Sequence, residues 1–177
     1  MLRILITKRT DGGAVLKCTR ADGTETWQKQ EGTHATFFPL HDLTHYSVES
    51  ELGLTHAFFG LIDQGWSITD TEGRGPRGHL PSDAQFGEWL VGQLDAERAS
   101  SARWTTAEFM ENAERYFGKA GIPVPRVLTD DELWRIRKRR AELFERWHAL
   151  VPGDTLELTF ASASTSGAPA ASHVTRR

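Results

Sequence analysis

Cysteine is almost absent from this chain. Cys18 is the single one among 177 residues, which excludes an internal disulfide framework and any zinc site built from cysteines. An excess of one charge is also missing. Lys and Arg number 21 against 24 Asp and Glu, a formal net charge of −3 with a pI of about 6.2. No global field therefore draws the chain to nucleic acid or to an anionic membrane. No apolar run approaches the roughly 20 residues that span a bilayer. The stretch Met1-Leu2-Arg3-Ile4-Leu5-Ile6 is too short for a secretory signal before Lys8-Arg9 interrupts it. These absences lead to the expectation of a cytoplasmic protein in a reducing compartment, with no membrane partner and with nucleic acid disfavoured.

What is present reads as one domain over residues 1–160. Asp11-Gly12-Gly13 and Ala21-Asp22-Gly23 are turns that divide the first thirty residues into an antiparallel meander. From Pro39 the period becomes helical, ending near Leu52 with Gly53 as C-cap. A second helix is expected from about Thr55 to Gly65. A third runs from Ser82, its expected N-cap, to Ala99, with Phe86, Trp89, Leu90 and Leu94 on one side. A fourth is capped by Thr105 or Thr106. The longest opens at Thr129-Asp130-Asp131-Glu132 and stops at Pro152-Gly153. Leu156 to Phe160 alternates as a strand that rejoins the meander. The expected class is α+β, a small antiparallel sheet packed with about five helices. Residues 161–177 are Ala, Ser, Thr, Gly and Pro without an apolar stripe, and read as a disordered tail. Arg176 and Arg177 lie in it, so the body keeps 19 basic against 24 acidic side chains.

The segment that carries chemistry is His41-Asp42-Leu43-Thr44-His45, with Glu49 and His56 beyond it. With His41 at the origin of a helical wheel, His45 falls at about 40°, Val48 near −20° and Leu52 near 20°. The imidazoles thus share the apolar, inward face, while Glu49 and Asp42 flank it at about 80° and 100°. Two stacked inward imidazoles concentrate polar groups that require partners. One divalent cation meets that requirement for both, and the helix N-terminus favours the neutral, ligating form of His41. His41 and His45 are the expected metal ligands, with Glu49 or His56 third. Asp63, His79 and His34 are further candidates. The alternative is structural: His41 on a backbone carbonyl, His45 paired with an acid, and Asp42 complementing the helix dipole.

The stretch from Phe37 through Tyr46, continuing in Phe58-Phe59-Gly60-Leu61 and Gly65-Trp66, resembles a bacterial family of small uncharacterised proteins. Thr26-Trp27-Gln28-Lys29-Gln30 and Leu94-Asp95-Ala96-Glu97-Arg98 extend the likeness to most of the chain except its tail. That resemblance implies a functional site and no particular reaction. His41, Asp42 and His45 are also similar to the His-Asp-x-x-His motif of ubiquinone-biosynthesis proteins. Those carry a glutamate twelve residues past the second histidine, where this chain has Ala57. The zincin pattern has Glu where Asp42 stands, one methylene longer, which argues against protease chemistry.

Gly73-Arg74-Gly75-Pro76-Arg77-Gly78 fits a dinucleotide string, but it lacks the strand before and the helix after, and reads as a loop. Arg74 and Arg77 could hold an anionic substrate over the histidines, with Trp66 walling the pocket. The basic run Arg135 to Arg140 is explained by i, i+4 pairing with neighbouring glutamates along a solvated helix face. The functional expectation is a site for zinc or another divalent cation. It would serve metal-dependent hydrolysis of a polar small molecule, with Asp42 or Glu49 as base or orienter. The competing expectation is a non-enzymatic ligand-binding or scaffold module.

Overall fold

Alternation along the first strands sets one face of a sheet. Leu2, Ile4 and Ile6 of β1 (Leu2–Lys8) are fully buried, as are Ala14, Leu16 and Cys18 of β2 (Ala14–Thr19). The computed structural model describes residues 1–72 and 80–161, with the backbone of Val174 and Thr175. β3 (Glu25–Gln30) follows the Asp22-Gly23 turn, where Gly23 takes a φ of 84°. β4 (Thr155–Phe160) returns from the far end of the chain and pairs antiparallel with β1, Ile4 facing Leu158 on one side and Cys18 on the other. A two-residue strand, β5 (Val174–Thr175), pairs with β4, completing the order β3-β2-β1-β4-β5. The rest of the segment expected to be disordered, and the Gly73–Gly78 loop with Arg74, Arg77 and His79, lie outside the described residues.

Among the described residues five α-helices accompany this sheet in an α+β fold, with α1, α2 and α5 packing directly on it. They are α1 (Phe38–Leu52), α2 (Phe58–Asp63), α3 (Ser82–Ser100), α4 (Thr106–Lys119) and α5 (Asp130–Ala149), with a 3-10 turn at Asp70–Glu72. Thr105 and Thr129 each form a capping box, with Glu108 and Glu132. Ser82 does not cap α3. Pro81 holds that position and Ser82 is the first helical residue. The second helix is shorter than its sequence limits, because residues 53–57 form an irregular connection that delivers Ala57 as its N-cap.

The core has two parts, and α1 lies between them. Leu40, Leu43 and Tyr46 pack toward the sheet with Phe59, Ile62 and Trp147, while Val48 and Leu52 pack among Phe86, Trp89, Leu90 and Ile136. Each such side chain contributes on the order of 2 kcal/mol by leaving water. This enclosure corrects the one-sided picture of α1. Ser47 is fully buried with its hydroxyl donating to the Leu43 carbonyl, and Glu51 is held by Arg135 and Arg139 of α5. The basic run on α5 is therefore no simple solvated face. Arg135 does pair with Asp131 one turn back, but Arg137 and Arg140 reach across to Glu97 of α3. Cys18 sits in the sheet core, where burial pushes its thiol pKa far up and leaves it inert.

Candidate metal centre

The site forms where α1 and α3 pack against each other. His41 meets Asp95 and the later His45 meets the earlier Glu88, so the helices run antiparallel along this contact. The two imidazoles stack as the i, i+4 spacing requires, with centroids 4.7 Å apart and planes at 82°. Ligand atoms from His41, His45 and Glu88 all lie within 4.8 Å of one another, a grouping that could hold a metal ion. His45 is buried, His41 partly so, and the Glu88 side chain is 41% exposed.

Carboxylates stand behind both rings. Nδ1 of His41 is 2.8 Å from Asp95 Oδ2. Nδ1 of His45 lies 3.4 Å from Glu49 Oε1, and its Nε2 is 3.6 Å from Glu88 Oε2. At His41 the acid on Nδ1 fixes the tautomer and turns Nε2 outward, as behind metal-bound histidines in general. Glu49 is itself fixed, since its other oxygen accepts from the backbone N–H groups of Phe59 and Gly60 at 2.9 and 3.1 Å. Gly60 permits this approach, because a Cβ there would fall 2.2 Å from the Thr55 carbonyl oxygen. The contact between His45 Nδ1 and Glu49 Oε1 is too poorly aligned for a hydrogen bond, leaving both buried atoms without one.

The electrostatics of the site are acid-rich. Burial opposes a charge on His45, yet Glu88, Glu49 and Asp42 together outweigh it and raise its pKa to about 9. Burial likewise raises Asp42 to about 6, against the pull of the Gln30 amide and both imidazoles. Glu49 is raised by its burial as well. Asp42 does not serve the helix dipole: α1 has no acid in its first turn, and Asp42 accepts from Gln30 Nε2 at 2.5 Å instead.

A cleft of about 280 Å³ opens beside the cluster. His41, Asp42, His45 and Glu88 form its polar wall, and Phe38, Phe58 and Ile68 its apolar one. Trp66 does not line it; its carbonyl accepts from Arg20. Trp27 is 65% exposed and forms neither core nor pocket. Among the other candidates, His56 is exposed, beside Thr55 and 3.8 Å from Asp83. Asp63 binds the N-terminal amine, and His34 is exposed.

Glu88 and Asp95 are the site residues that sequence reasoning missed. They stand seven residues apart on α3, which returns them to one helix face. That spacing was a readable signal. It lay on the polar side of an amphipathic helix, where acids ordinarily face water.

Fold and site define an α+β protein with a histidine–glutamate cluster able to hold a metal ion. No protein-family model, curated protein or solved structure matches the chain.

Proposed function

We propose that this protein binds one divalent cation, zinc by preference, through His41, His45 and Glu88, and uses it to hydrolyse a polar small molecule. The observation that carries the reading is the pairing of each Nδ1 with a carboxylate beside a third, outward acid. Imidazole and carboxylate donors suit zinc, and three protein ligands are the number typical of its catalytic sites. A cation so held lowers the pKa of water at its open position. Asp42, on the cleft wall with a pKa near neutrality, is placed to take a proton from a reactant. Glu49, fully buried, orients His45 and is out of a substrate's reach. The lone buried cysteine fits a cytoplasmic location, and among the described residues no helix is long and apolar enough to cross a membrane. The family resemblance of the Phe37–Tyr46 stretch belongs to the same proposal.

The test is elemental analysis of untagged protein beside a His41→Ala, His45→Ala double variant. Near-stoichiometric metal in the parent and none in the variant is expected. Negligible metal in both overturns the reading.

One observation favours a second reading. With a pKa of about 9, His45 can stay protonated at neutral pH between Glu49 and Glu88, a closed ion cluster in a binding or scaffold module. That reading predicts thermal stability indifferent to added zinc, whereas a metal site predicts stabilisation that grows with zinc concentration.

A further inference from the structure

On another part of α3, a second cavity of about 420 Å³ opens between its C-terminal end, the loop to α4, and α5. Four arginines line it, Arg98, Arg103, Arg137 and Arg140, with Glu97 as the single acid. Glu97 is already engaged, clamped by Arg137 and approached by Arg140 at 3.8 Å. Arg98 is 3.5 Å from Asp95, whose other oxygen holds His41, and its buried Nε has no hydrogen-bond partner. Arg103, exposed on the cleft, makes no ion pair or hydrogen bond among the described residues.

The two acids in reach therefore leave an excess of positive charge. Backbone carbonyls take part of the guanidinium donor capacity: Arg140 donates to Leu94 and Arg137 to Trp104. These bonds fix the forks in place without neutralising them. Such preorganised guanidiniums suit an oxyanion, which they can bind in planar, bidentate fashion. The ring of Phe144, under Arg140 at 5.6 Å, supplies an apolar side for a carbon skeleton.

We propose that this cleft binds a compact, multiply charged oxyanion, a phosphorylated or polycarboxylate small molecule. The cleft shares no proposed metal ligand with the cation cluster and stands whether or not a metal binds there.

The test is calorimetric titration of the full-length protein, freed of metal on a chelating resin, at low ionic strength. Pyrophosphate is the probe in one arm and citrate in the other, which separates the two sources of oxyanion. Saturable one-to-one binding of at least one probe is expected, weakened roughly tenfold by Arg103→Ala and further by Arg103→Glu, as for loss of one charge-assisted contact. Arg135→Ala, which alters an arginine outside the cleft, should leave it unchanged. Arg103 is exposed and has no bonded partner among the described residues, so its variants should keep the fold, and circular dichroism checks this. Lack of saturation with both probes overturns the proposal. So does equal loss of affinity in the Arg103 and Arg135 variants, which would mean diffuse attraction to surface charge.

Discussion

The α1–α3 contact and the α3–α5 contact are both built from charges, yet they close differently. Between α1 and α3, Asp42, Glu49, Glu88 and Asp95 surround two histidines, and the balance of positive charge there depends on His45 holding a proton. Between α3 and α5, a guanidinium clamp on Glu97 is already complete, with carbonyls taking further donors. The first cluster holds a proton on His45 where, on the proposed reading, a cation would sit. The second is a fixed ion pair whose surplus charge faces a cleft. Two helix contacts rich in charge thus differ in how much of the compensation the chain itself supplies.

Replacing Glu97 with Ala should produce the largest loss of stability, about 3–5 kcal/mol in denaturant unfolding, because it strands Arg137 and Arg140. A change within 1 kcal/mol would erase the distinction between the clusters. Asp95→Asn should leave the fold intact but weaken zinc binding about 10- to 100-fold, as loss of a carboxylate behind a ligating imidazole does. Glu88→Gln should weaken it at least as much with little effect on stability, since that side chain is 41% exposed. Zinc competition titration reads both.

Asp42→Asn sharpens the picture from the opposite side. Its pKa rises from an ordinary 3.8 to about 6, so the folded protein holds that proton more tightly than the unfolded chain. In the metal-free protein its contribution to stability is lost as pH climbs from about 4 through 6, and stays lost above. The variant should therefore be more stable than the parent at pH 7 by about 3 kcal/mol, and no more stable at pH 3. Urea melts at the two pH values decide it. Smallest of all, Glu51→Ala should cost about 1 kcal/mol or less, because Arg135 and Arg139 remain partly exposed and resolvate.

Much of this architecture was legible in local patterns. The Asp-Gly turn, the two Thr-x-x-Glu capping boxes and the Gly53 stop are set by neighbours within four residues, and each appears where its residues dictate. Alternation marked Leu156 to Phe160 as a strand rejoining the meander, and the fold pairs it with β1. The stacked imidazoles were equally readable, since a helix fixes the i, i+4 relation. Glu49 beside His45 obeys the same rule, one turn further on. The acid opposite His45, by contrast, lies 43 positions away on another helix, and Asp95 lies 54 from His41. No periodicity within α1 points to either.

By itself, then, the sequence determined most of the elements, the Thr105 and Thr129 caps and the direction in which two histidines leave one helix, because those are short-range consequences of backbone geometry and side-chain period. Tertiary structure alone decided which charges meet. Helix packing brought the polar side of α3 against the histidine edge of α1, and carried α5's arginines onto Glu51 and Glu97. Which partner a buried charge finds depends on how whole surfaces fit together, and that choice is made only when the helices dock.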